Sequence, residues 1–175
     1  MIGRRSILAA MAALALASAG AATAAETIPA QLQPVGYKAL FTTQASGVQI
    51  YASVAGAGGA RWVLEAPLAR LTTGDGKIAL VHYAGPSWEA SDGSKVVRDT
   101  AMPLIAVPAP DAAADIPWLL IKVTADPAPG VLSQVSFVQR IVTHGGAAPA
   151  TPPVRVGTKI GVPYTATYVF YAKGS

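Results

Sequence analysis

The chain has 175 residues, of which 52% are hydrophobic and 13% charged, and it contains no cysteine. The missing cysteines exclude disulfides, thiol catalysis, iron–sulfur clusters and cysteine-ligated zinc. The formal net charge of +4 drops by two if Arg4 and Arg5 are removed with a leader, and the remaining basic residues are scattered. No concentrated basic face for nucleic acid is expected.

Residues 1–25 read as a cleavable export signal. Arg4 and Arg5 form a positive start, residues 7–17 are apolar, and Ala22-Thr23-Ala24-Ala25 offers small-x-small cleavage after Ala24 or Ala25. The apolar run is about half of the roughly 20 residues that span a bilayer, which disfavours a retained anchor. Arg4-Arg5-Ser6-Ile7-Leu8 also has the look of a twin-arginine signal, and the ordinary Sec route stays open beside it. The expected location is periplasmic or secreted, with no membrane span in the mature chain.

Residues 26–175 are expected to form a single β domain, because β-branched and aromatic runs recur between clusters of Gly, Pro, Asp and Ser. Residues 37–43 and 47–54 read as a first strand pair around Gln44-Ala45-Ser46, and 61–65 as the next strand. Gly74-Asp75-Gly76 introduces a strand at 77–84, which Gly85-Pro86 ends. Asp92-Gly93 joins 87–90 to 94–98 as a tight hairpin. Residues 102–107, limited by Pro103 and Pro108, suggest an edge strand. Around 111–115 a short helical piece capped by Asp111 is expected. Residues 118–124 are nearly all apolar, which predicts a strand covered on both faces. In 132–143, Val135, Phe137 and Ile141 fall on one face and Gln134, Ser136 and Arg140 on the other. The last strand, 164–171, places Tyr164, Tyr168 and Phe170 together. About nine short antiparallel strands predict an all-β fold, either a β-sandwich or a small β-barrel.

Several strings, taken together, carry a resemblance. They are Gly47-Val48-Gln49-Ile50-Tyr51, Trp62 with Glu65-Ala66-Pro67-Leu68-Ala69-Arg70-Leu71, and His82-Tyr83-Ala84-Gly85-Pro86-Ser87-Trp88-Glu89 with Asp92-Gly93-Ser94. Ile116-Pro117-Trp118-Leu119-Leu120 follows, then Val138-Gln139-Arg140-Ile141 with Thr143, Gly145, Gly146 and Pro149, and Pro163-Tyr164-Thr165-Ala166-Thr167-Tyr168. In this order, from about Gly36 to Tyr171, the chain resembles the DUF3455 family of exported bacterial and fungal proteins, a domain of unknown function. The resemblance implies an exported domain and assigns it no reaction. Relatives often carry a Cys just after the Gln-x-Tyr segment, where this chain has Ala52-Ser53.

Motif chemistry is sparse. Gly56-Ala57-Gly58-Gly59-Ala60-Arg61 has Arg61 where a dinucleotide fingerprint needs its third glycine, and no βαβ unit follows. There are two histidines, His82 and His144, and neither has the spacing of a metal motif. No metal or other cofactor is expected. No Gly-x-Ser-x-Gly elbow accompanies Ser87 or Ser94. The densest chemistry is His82, Tyr83, Trp88, Glu89 and Asp92 around two turns, with Arg140 on a separate strand as a further ligand contact. Trp88 and Tyr83 can stack on a flat ligand while Glu89 and Asp92 accept hydroxyl hydrogens. The alternative is that Trp88 fills the core, His82 is a hydrogen-bonded core residue and Asp92-Gly93 only turns the chain.

Three functions are therefore expected in order. The first is a non-catalytic binding or envelope-associated domain for a small molecule or glycan. The second is a structural or interaction protein with an envelope partner. The third is a hydrolase-type enzyme pairing His82 with Glu89 or Asp92, which requires them to share an open cleft within hydrogen-bond reach.

Overall fold

A computed structural model describes residues 26–174, and the leader expected over residues 1–25 lies outside the described residues. Nine described strands follow a short 3-10 turn at Ala30–Leu32: β1 Tyr37–Gly56, β2 Gly59–Thr72, β3 Ala79–Tyr83, β4 Ser87–Ala90, β5 Lys95–Arg98, β6 Ile105–Val107, β7 Trp118–Ala125, β8 Val135–Gly145 and β9 Lys159–Lys173. All pair antiparallel. Their order is β5-β4-β3-β2-β1-β9-β8-β7-β6, and β5 also pairs with β7. That extra pairing closes eight strands into a barrel and leaves β6 as a short edge strand beside β7. Of the two architectures expected, the chain adopts the barrel.

Two expected elements are corrected. Residues 44–46 do not turn: β1 runs unbroken for 20 residues, hydrogen-bonded to β2 from Gln44 to Gly56 and to β9 from Tyr37 to Ala52. Pairing along both edges outweighs the weak turn preference of Gln44-Ala45-Ser46, and Ala45 faces the packed interior. No helix forms at 111–115 either. The backbone makes one hydrogen-bonded turn, with the N–H groups of Ala114 and Asp115 donating to the Asp111 carbonyl. Pro117 follows too closely for a second turn.

Alternation along the strands sorts side chains into two apolar sets. Inside the barrel, Leu71, Leu80, Trp88, Val96, Ile121, Val138 and Phe170 pack with Tyr164 and Tyr168. Each fully buried apolar side chain contributes roughly 1.5–3 kcal/mol. Outside it, Trp118, Leu120, Ile141 and Val169 are covered by the N-terminal segment through Leu32. Gln139 anchors that cover, its Nε2 donating to the Leu32 carbonyl at 2.7 Å while Tyr171 donates to its Oε1 at 3.1 Å. This double covering explains why β7 reads as a continuous apolar run.

The closing seam is held by more than its ladder. Asp92 Oδ1 accepts from the Ser94 N–H and hydroxyl at 3.0 and 2.6 Å, and Oδ2 accepts from Val131 N–H at 2.8 Å. Ser94 Oγ in turn accepts from Leu132 N–H at 3.2 Å. Asp92 therefore ties the β4–β5 turn to the segment between β7 and β8. Gly130 is part of the same lock, because a Cβ there would lie 2.5 Å from Ser94 Cβ and 2.7 Å from Asp92 Oδ2.

In the long β1–β2 ribbon Gly47 leaves no room for a side chain, because a Cβ would collide with the Leu68 carbonyl oxygen and the Ala69 backbone. Backbone atoms in two paired strands cannot move aside cheaply. Gly47→Ala is expected to destabilise the barrel by about 2 kcal/mol or more. Urea unfolding measures this, and a loss well under 1 kcal/mol would show that the two strands part easily.

Candidate functional site

The barrel interior is filled at one end and open at the other. At the mouth beside the β3–β4 turn lies a cavity of about 270 Å³. His82, Trp88, Tyr168 and Arg140 line it together with Gln49 and Arg98. These come from β3, β4, β9, β8, β1 and β5, so the site exists only when the sheet has closed on itself.

Its aromatic wall is built by strand pairing. His82 and Trp88 are directly opposed on β3 and β4, and their rings stack with centroids 4.4 Å apart and planes 5° apart. Tyr168 meets both edge-on, at 5.6 and 6.2 Å. Trp88 is fully buried and His82 nearly so. Trp88 thus serves as core residue and cavity wall at once.

His82 Nδ1 lies 2.9 Å from the Ser87 carbonyl oxygen. A carbonyl only accepts, so Nδ1 carries the proton, and in the neutral ring Nε2 is left as an acceptor. Burial lowers the His82 pKa to about 4; the Ser87 carbonyl opposes this and the nearby Arg140 charge reinforces it. On the same side of the barrel, burial pushes the Tyr164 phenol far up. The Tyr164 and Tyr168 hydroxyls share a hydrogen bond at 3.2 Å.

Arg140 faces inward and is 8% exposed. This corrects the alternation expected over 132–143, which set Arg140 on the polar face opposite Val135, Phe137 and Ile141. The register shifts between Val135 and Phe137 and again between Ile141 and His144, so simple alternation across 132–143 fails. Val138 and Arg140 face the interior, while Phe137 and Ile141 join the outer apolar set. Beside the second shift, Val142 has φ 48°, a strained conformation for a β-branched residue. Arg140 Nε and Nη2 both donate to the Pro117 carbonyl, at 3.2 and 2.8 Å. The described ion pairs join Lys77 to Asp75, His144 to Asp115 and Lys159 to Glu65, and none includes Arg140.

Of the six residues singled out in the sequence, the cavity gathers His82, Trp88 and Arg140. Tyr83 and Glu89 lie on the outer face, where the Tyr83 hydroxyl donates to Glu89 Oε2 at 2.6 Å and Lys95 Nζ sits 5.3 Å from the Tyr83 ring centroid. Asp92 serves the seam. Neither Glu89 nor Asp92 shares the cavity with His82, because successive strand residues point to opposite faces and Asp92 lies beyond the strand end. Sequence reasoning missed Gln49, Arg98 and Tyr168 as site residues. The pairing of Tyr164 and Tyr168 on one face was a usable signal, whereas Arg98 gave none before β5 was known to end at the mouth.

Fold and site together define a small closed β-barrel with an aromatic and arginine-lined cavity at one mouth. The chain belongs to the family described as Protein of unknown function (DUF3455), which it matches over residues 34–172. No curated protein and no solved structure matches it significantly.

The His82 shift carries a stability consequence. As pH falls, the unfolded chain takes up the proton near the ordinary value of about 6.5 while the folded ring resists until about pH 4. Stability from this residue is full above about pH 6.5, and about 3 kcal/mol is withdrawn progressively down to about pH 4. Urea midpoints measured across that window are expected to fall, and His82→Phe to flatten the fall. A wild-type profile already flat there would show a ring that protonates freely in the fold.

Proposed function

We propose that this chain is an exported, non-catalytic binding protein that holds a small molecule in the mouth of its barrel. The observation that carries this reading is a cavity of about 270 Å³ at the barrel mouth, walled by the buried rings of Trp88, His82 and Tyr168. The volume is just below the ~300–1,000 Å³ usual for ligand pockets, so a single ring-sized molecule suits it better than a glycan chain. Apolar Leu104, Leu119 and Ile121 complete the lining, giving the mixed apolar and polar character of small-molecule sites. Export rests on the Arg4-Arg5, apolar and small-residue pattern of residues 1–25. Among the described residues no helix is long and apolar enough to cross a membrane.

Binding is favoured over hydrolysis by the surroundings of His82. The hydrolase reading called for Glu89 or Asp92 beside His82 in an open cleft, and here Glu89 is bound by the Tyr83 hydroxyl on the outer face and Asp92 by Ser94 and Val131 at the seam. A ring with a pKa of about 4 is also a weak base at neutral pH.

A fragment screen by protein NMR tests the proposal, with the Trp88 indole N–H as reporter. Bound fragments are expected to shift that resonance. Ala84→Trp, placed on an exposed position that lines the cavity, is expected to weaken them about tenfold without lowering Tm. Hits mapping instead to the outer face around Leu68 and Val81, which are both exposed, would sink it in favour of an interaction surface.

A further inference from the structure

Hydrogen-bond donors at the mouth outnumber the acceptors the fold offers them. The Trp88 indole N–H and the Arg98 Nε are buried without a hydrogen-bond partner, the Gln49 side-chain nitrogen has only the neighbouring Tyr164 hydroxyl to turn to, and all three residues line the same cavity. Trp88 is fully buried and Gln49 is 1% exposed. The two other such groups among the described residues, Thr43 Oγ1 and Trp118 Nε1, belong to residues that do not line it. Arg140 adds a buried positive charge whose described hydrogen bonds both go to one neutral carbonyl.

Burying a cation without a counter-charge, or a donor without an acceptor, costs stability that a fold ordinarily avoids. The acceptors nearby do not satisfy these groups. Glu65, the one carboxylate in the described lining, is exposed and bound by Lys159 at 2.7 Å. The Tyr168 hydroxyl is shared with Tyr164. What remains is a concave site with two guanidinium groups and neutral donors on its walls.

Resting on the small-molecule reading above, we propose that the ligand is a small organic carboxylate. Its carboxylate lies among Arg140, Arg98 and the Trp88 N–H, and its apolar body against Leu104, Leu119 and Ile121. The guanidinium fork suits planar carboxylate oxygens. The apolar share of the lining distinguishes an organic acid from a bare inorganic oxyanion, which would leave those side chains without a partner.

Calorimetric titration of the mature chain with acetate, benzoate and phenylacetate, each against its amide, and with inorganic phosphate, tests this. At least one acid is expected to bind about tenfold or more tighter than its amide, with phosphate weaker than that acid. Arg140→Met is expected to erase the difference between acid and amide. Should that variant not fold, Arg98→Gln, at a partly exposed position, is expected to narrow the difference several-fold and so carries the test. Acid and amide binding equally would overturn the carboxylate inference while the small-molecule site stands. Neutral fragments alone shifting the Trp88 indole would overturn it too, and would likewise leave that site in place. Phosphate binding as tightly as the best acid would replace the inference with an inorganic-anion site. No acid or amide binding, together with no fragment at the mouth, would remove the underlying reading as well.

Discussion

The site depends on one short seam. β5 and β7 meet through Val96–Ala125, Val97–Thr124 and Arg98–Val123, flanked by backbone hydrogen bonds from Asp126 N–H to the Lys95 carbonyl and from Asp99 N–H to the Lys122 carbonyl, and this short contact converts a curled sheet into a closed barrel. Without it β5 would be a free edge and the short β3–β5 strands would hang from β2. Such edges invite fraying and unwanted pairing. The Asp92 and Ser94 lock with Val131 and Leu132 reinforces the seam at the turn that leads into β5. Closure also has a chemical product, because the Arg98–Val123 pairing brings Arg98 around to the mouth that Arg140 reaches from β8.

Trp88 divides the interior. On one side it belongs to the apolar packing with Leu71, Leu80 and Phe170, and on the other it lines the cavity, its indole N–H without a partner in the fold. The polar groups are held by backbone carbonyls: Ser87 fixes the His82 tautomer and Pro117 fixes the Arg140 guanidinium. Backbone acceptors on rigid strands and proline turns position side chains without neutralising them. Arg140 therefore keeps its charge for whatever enters, and the strained Val142 backbone sits two residues away, where the β8 bulge sets which side chains face inward.

Much of this was readable from sequence. The Asp92-Gly93 hairpin, the Pro-limited edge strand and the doubly covered β7 followed from turn chemistry and apolar runs, and the quoted strings pointed to the correct family. Three things were hidden for physical reasons. The continuity of β1 is decided by two partners far away in sequence, and local propensity at Gln44-Ala45-Ser46 does not report them. Arg140 was assigned to the wrong face because each register shift in β8 inverts the alternation that follows it. Asp92 and Glu89 looked chemical because they cluster with His82 in sequence, but strand geometry sends them to the seam and the outer face. Ser53, just after the Gln-x-Tyr segment, is likewise structural: its hydroxyl donates to the Arg155 carbonyl at 2.6 Å and accepts from Thr158 N–H at 2.9 Å.

The protonation states at the mouth decide what kind of chemistry it supports. A buried histidine on the neutral side of its titration and two guanidinium groups form a set whose charge does not change near neutral pH, and burial pushes the neighbouring Tyr164 phenol further from ionising. Catalysis by proton transfer needs a group poised to gain and lose a proton close to the working pH, and the burial that seats His82 against Trp88 moves it away from that point. Recognition needs the opposite property: donors and charges that hold still, in fixed directions, while the ligand's solvent is exchanged for protein. Closing the barrel around a buried Arg140, with its charge left unmatched from within and Arg98 at the rim, supplies that.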